Sequence, residues 1–162
     1  MFNHPPESSG HLRELREKLR QDSRDSFQLL ENLWDNPICS ISHDESSHCV
    51  VIVWKQYATQ LQLRYIHESL LTLICEHRVY KILGDDTALP TIPSEDRFWI
   101  IDEWFPRAME CGLRFAASKR PASYFGKLAV SHIQSAAPAG IECRSFEQLH
   151  EAKEWLQTVT AG

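Results

Sequence analysis

Two adjacent carboxylates, Asp85 and Asp86, follow the apolar run 79–84 (VYKILG), and Ser118, Lys119 and Arg120 follow a second run, 113–117 (LRFAA). Carboxylate oxygens are hard ligands, so two acids facing a lysine and a serine are a set that could hold Mg²⁺. A metal-holding acid pair with a separate acceptor aspartate beside the lysine would need a third carboxylate. Here Asp85 and Asp86 would have to be both pair and acceptor. The expectation is therefore that they are solvated turn formers, with Asp85 bonding Lys119 and no metal held.

The other chemistry-bearing residues are scattered. None of the eight histidines stands in an H-x-x-x-H or H-E-x-x-H spacing, and His43 and His48 merely flank a polar turn. The five cysteines (Cys39, Cys49, Cys75, Cys111 and Cys143) are odd in number, at least ten residues apart and without a C-x-x-C pair. They read as buried small hydrophobes in a reducing compartment, with Cys111 and Cys143 the least secure. The six glycines build no phosphate loop, and no nucleophile elbow is present. No complete catalytic set emerges, so the reading is not an enzyme, with no cofactor.

The segment 94–112 (SEDRFWIIDEWFPRAMECG) is the strongest remaining signal. Ser94 is placed to cap a helix whose first turn carries Glu95 and Asp96, and is also a phosphorylation candidate, since added charge would meet helix amides. Phe98, Ile101, Phe105 and Ala108 form the expected inward stripe. Trp99 and Trp104 cannot share it at 100° per residue. Trp104 and Arg107 are therefore expected outward around Pro106, with a kink near Asp102, and together with Trp99, Asp85, Asp86 and Lys119 they make the expected partner or ligand surface.

The elements that must position these residues alternate. Residues 1–10 read as a frayed tail, and Leu12, Leu15 and Leu19 mark a charged helix that is an appendage rather than core. Residues 27–30 are either a short strand or the end of that helix. Ile38–Ser42 and His48–Trp54 then form an antiparallel hairpin. Helix 58–77, strand 79–84, helix 94–111, strand 113–117, a helix carrying Tyr124, Phe125, Leu128, Ala129 and Ile133, strand 141–144 and a C-terminal helix complete the order. This predicts an α/β domain over residues 26–162, with a mixed, largely parallel small sheet flanked by helices and with residues 1–25 added. In such sheets ligands approach the carboxyl ends of the strands, which carry Lys55, Asp85, Asp86, Lys119 and Ser145.

The pattern from about Leu30 to Leu156 resembles the SpoIIAA-like branch of the STAS (anti-sigma-factor-antagonist) superfamily of bacterial proteins. The features that carry it are VIVWK, VYKILGD, the EWFPRA segment within helix 94–112, LRFAAS, Tyr124-Phe125-Gly126-Lys127 and the closing SFEQLHEAKEWL. The resemblance implies a small mixed sheet, no catalytic machinery, and work by protein contact or small-ligand binding. One departure stands out: kinase-regulated antagonists carry Asp-Ser-Ser-Gly after the third strand, where this chain has Gly84-Asp85-Asp86-Thr87-Ala88.

Of 162 residues, 43% are hydrophobic and 24% charged, with a formal charge of −5, which disfavours nucleic-acid binding. Apolar runs are too short to span a bilayer, and no leader pattern opens the chain. The resulting expectation is a cytoplasmic, non-enzymatic bacterial module that docks on a protein partner or on itself as a homodimer. The alternative is a carrier or sensor of a small apolar or amphiphilic ligand held between the sheet and the aromatic helix.

Overall fold

The computed structural model describes residues 10–160, so all but the last residue of the expected tail lies outside the described residues. The protein is α/β. Strands β1 (Cys39–Asp44), β2 (Cys49–Trp54), β3 (Lys81–Asp85), β4 (Phe115–Lys119) and β5 (Glu142–Phe146) lie side by side in chain order. β1 runs antiparallel to β2, and every later pair is parallel. The hairpin closes where Asp44 accepts the Ser46 amide at 3.1 Å and the hydroxyls of Ser46 and Ser47. The parallel pairs need crossovers, which the helical segments supply.

Two helices precede the sheet, α1 (Gly10–Arg20) and α2 (Arg24–Glu31). Residues 27–30 thus belong to a helix, started by Ser23, whose hydroxyl accepts the Ser26 amide at 3.1 Å. Leu12, Leu15 and Leu19 are buried in the main core, and α1 packs on α3 (Gln60–His77), which corrects the reading of this stripe as an appendage. Three leucines suffice because α3 offers α1 a second apolar side.

Between β3 and β4 run α4 (Ser94–Trp99), a π-helical turn at Ile100–Trp104 and α5 (Phe105–Glu110), without interruption. Pro106 has no N–H to give Asp102, and the expected distortion takes the form of this wide turn, in which the Phe105 amide bonds the Ile100 carbonyl. The extra residue turns the downstream face by about 100°. That phase change explains two corrections: Phe98 is 53% exposed, and Trp104, expected outward, is 3% exposed. The helix ends at Gly112, whose φ of +113° suits glycine, with Leu113 N–H to Ala108 O and Gly112 N–H to Met109 O, both 3.0 Å.

α6 (Tyr124–Ser135) joins β4 to β5, and α7 (Leu149–Thr158) follows β5. On α6 the buried residues are Gly126, Ala129 and Val130, whereas Tyr124, Phe125 and Leu128 are exposed, against the expected inward stripe. The start of α6 lies too close to the 87–93 loop for large side chains to turn inward there. α7 covers the opposite sheet face with Ala152 and Leu156, packed with Cys49, Leu83 and Ala117. The buried Lys81 ammonium donates to the Leu156 carbonyl at 2.5 Å, near the α7 C-terminus, where a cation is favoured.

The cysteines require a further correction. Cys75 at the end of α3 and Cys111 at the end of α5 form a disulfide, their Cα atoms 4.8 Å apart. A separation of 36 residues carries no spacing signal, and only the meeting of two helix ends brings the pair together. Cys39, Cys49 and Cys143 are free, and burial pushes their thiols up to about 12, 11 and 11. No helix among the described residues is long and apolar enough to cross a membrane.

Candidate functional site

The sheet face that meets α3, the 94–110 helix and α6 has a row of small residues. Gly84 on β3 pairs in register with Ser118 on β4, and one step back Ile82 pairs with Ala116. Large side chains flank this strip, as Ile52 and Trp54 on β2, but the helices do not descend to fill it. A cavity of about 130 Å³ results, walled by Trp54, Leu63, Leu70, Ile100, Trp104 and Phe105. The π turn supplies Ile100 and Trp104, and the loop after β3 supplies Leu89 and Ile92. That loop is pinned by Ser123, whose hydroxyl donates to the Pro90 carbonyl at 2.7 Å while accepting the Gly126 amide at 3.0 Å.

Polar groups are few in this cavity, and two stand out. His67, one turn after Leu63 on α3, has Nδ1 2.9 Å from the Leu63 carbonyl, which assigns that nitrogen as the donor and leaves Nε2 as an acceptor. Burial lowers its pKa to about 4, so the ring is neutral. Around it stand Trp54, Trp99 and Trp104, with ring centroids 6.1, 6.1 and 5.1 Å away. The Trp104 indole N–H donates to the His67 carbonyl at 2.6 Å, satisfying its polar atom.

The second group is Asp86, 8% exposed and lining the same cavity at the carboxyl end of β3. Its backbone is fixed, the amide donating to Lys119 O at 3.2 Å and the carbonyl accepting from Leu89 at 3.0 Å. Among the described residues no hydrogen-bond donor reaches its carboxylate. Burial first, and then Asp85 beside it, pushes its pKa up to about 7. A Cβ on Gly84 would come 3.0 Å from Asp86 Oδ1, so the missing side chain makes room for the carboxylate over the strand end.

The neighbouring acid is spent locally. Asp85 accepts the Thr87 amide at 3.1 Å and its hydroxyl at 2.6 Å, and Lys119 donates to that hydroxyl at 2.6 Å. The expected Asp85–Lys119 contact therefore runs through Thr87. Only Asp85 is the turn former expected of both acids; Asp86 is buried rather than solvated, a correction imposed by the cavity it faces.

The remaining sequence candidates lie elsewhere. Trp99 is half-buried beneath the Arg64 guanidinium, 5.0 Å from its ring centre. Arg107 grips the buried Glu68 carboxylate with both terminal nitrogens, tying α5 to α3. Ser94 is exposed but does not cap, because Pro93 occupies the N-cap position and Ser94 is already helical. His43 meets His77 with ring centroids 5.5 Å apart, and His48 stacks on Tyr80 instead. Ligand atoms of His43, Glu45 and His77 lie within 4.8 Å of one another, near enough for a divalent cation to draw together.

His67 and Gly84 were not singled out from the sequence. A histidine between Leu63 and Leu70 on a helix, and a glycine one residue before the acid pair, were the available signals. No protein-family model matches the chain, and no curated protein matches it.

Proposed function

We propose that the protein is a non-enzymatic binding module of SpoIIAA-like type that carries or senses a small apolar or amphiphilic ligand, held between the sheet and the aromatic helix. The cavity supports this reading most directly. Its volume of about 130 Å³ is close to that of an engineered apolar cavity of about 150 Å³ that takes up benzene. Ligand pockets are mainly apolar with a few fixed polar groups, and this one pairs aromatic walls with His67 and Asp86. The test is solvent extraction and native mass spectrometry of protein purified from its own host, beside toluene titration of the emptied protein. An extractable small apolar compound, or a toluene-dependent rise in melting temperature lost in Ala116→Leu, is expected. Empty protein that also ignores toluene overturns the reading.

Protein docking remains a second reading on a different face from the one expected. Tyr124, Phe125 and Leu128 lie along exposed α6, and Phe98 packs on His132 one turn further on. Exposed aromatic residues grouped in this way are typical of interfaces, and a second copy of the chain is the simplest partner. Sedimentation should then show a concentration-dependent dimer that Phe125→Ser weakens, and a monomer at all concentrations removes this reading.

A further inference from the structure

We infer that the cavity selects a small aromatic primary amine, with its ammonium on the Asp86 carboxylate and its ring among Trp54, Trp104 and Phe105. This deepens the ligand-binding reading and rests on it.

The argument begins from what the cavity lacks. A buried carboxylate ordinarily has donors or a cation around it, because leaving it bare costs free energy. No protein donor among the described residues reaches the Asp86 carboxylate, because Lys119 is held by Thr87, so its oxygens bond only to what fills the cavity. Burial and Asp85 both press it toward the neutral form, and a bound cation would relieve both. The Nε2 atom of His67 is likewise an acceptor, since Nδ1–H is committed to Leu63. A ligand that donates, and does so as a cation, complements both groups; the other polar side chains of the lining, Ser118 and Gln134, bond each other at 3.4 Å.

The walls agree with this chemistry. Aromatic faces attract cations and pack flat rings, and the apolar floor at Ala116 and Gly84 leaves no other charge to satisfy. The volume limits the guest to about one ring with a short arm.

Three probes of equal shape separate the head group from the hydrocarbon: benzylamine, benzyl alcohol and benzoate, titrated by calorimetry near pH 8, above the Asp86 pKa. Benzylamine should bind at least about tenfold more tightly than benzyl alcohol, with benzoate weakest. Asp86→Asn should abolish that preference, bringing amine and alcohol to within about twofold of one another. Gly84→Ala, which crowds the carboxylate, should weaken the amine more than the alcohol, and serves if Asp86→Asn does not fold. Equal binding of amine and alcohol by the wild type overturns the amine proposal and leaves the apolar-cavity reading standing. A preference that survives Asp86→Asn does the same. Silence toward all three probes removes both.

Discussion

Asp86 couples the cavity to the proton concentration. Its pKa is raised from 3.8 to about 7, so between these values the native protein holds a proton that the unfolded chain has released. Stability attributable to this residue is thus complete below about pH 4, falls as pH rises, and levels off above about pH 7. The fall is at most on the order of 4 kcal/mol. Urea melts across this range should show Asp86→Asn gaining stability relative to wild type as pH rises; parallel curves would mean that Asp86 is solvated. At the same scale, Trp104→Ala should destabilise by roughly 3–5 kcal/mol, as Phe105→Ala does, because both rings are buried. Phe98→Ala, on the exposed side of the same helix, should cost less than about 1 kcal/mol. Thermal melts of the three variants test this ordering, and a small Trp104→Ala effect would restore the outward placement that the sequence suggested.

At the scale of elements, the disulfide fastens the end of α3 to the end of α5, and Arg107–Glu68 joins the same two segments. Both hold the wall of the cavity that faces the sheet. Closing a loop of 36 residues is worth about 3–4 kcal/mol on chain-entropy grounds. Urea melts with and without reductant should differ by about that much, with Cys75→Ser matching the reduced protein; coincident curves would show that the bond adds nothing.

The strand and helix order was legible in the sequence because period-2 runs such as 49–54 and period-3.6 runs such as 63–74 are locally encoded. The phase of the aromatic helix is not legible, because a proline signals distortion without saying whether the helix kinks or widens by a residue, as it does at Ile100–Trp104. The same limit hid the cavity. Gly84, Ala116 and Ser118 are unremarkable separately and become a floor only once β3 and β4 are in register. Asp85 and Asp86 could be picked out as neighbours, but nothing local told which would turn inward.

For the whole molecule, one face of the sheet carries most of the burden and α1 belongs to it. A chain beginning at Ser23 would expose the α3 surface that Leu12, Leu15 and Leu19 cover. Each fully buried leucine contributes roughly 1.5–3 kcal/mol. Such a truncation should lower the urea midpoint sharply and promote aggregation, and an unchanged midpoint would make α1 the appendage its short stripe implied.

The cavity also gives the molecule a mechanical property. Unfolding eliminates whatever part of this space of about 130 Å³ solvent does not fill, and the volume of the system falls accordingly. Compression then favours the unfolded chain. Under hydrostatic load the protein should yield well before a filled homologue of equal thermal stability. Ala116→Leu should shift its pressure midpoint upward, and benzylamine should harden the wild type in the same way by taking up the compressible space.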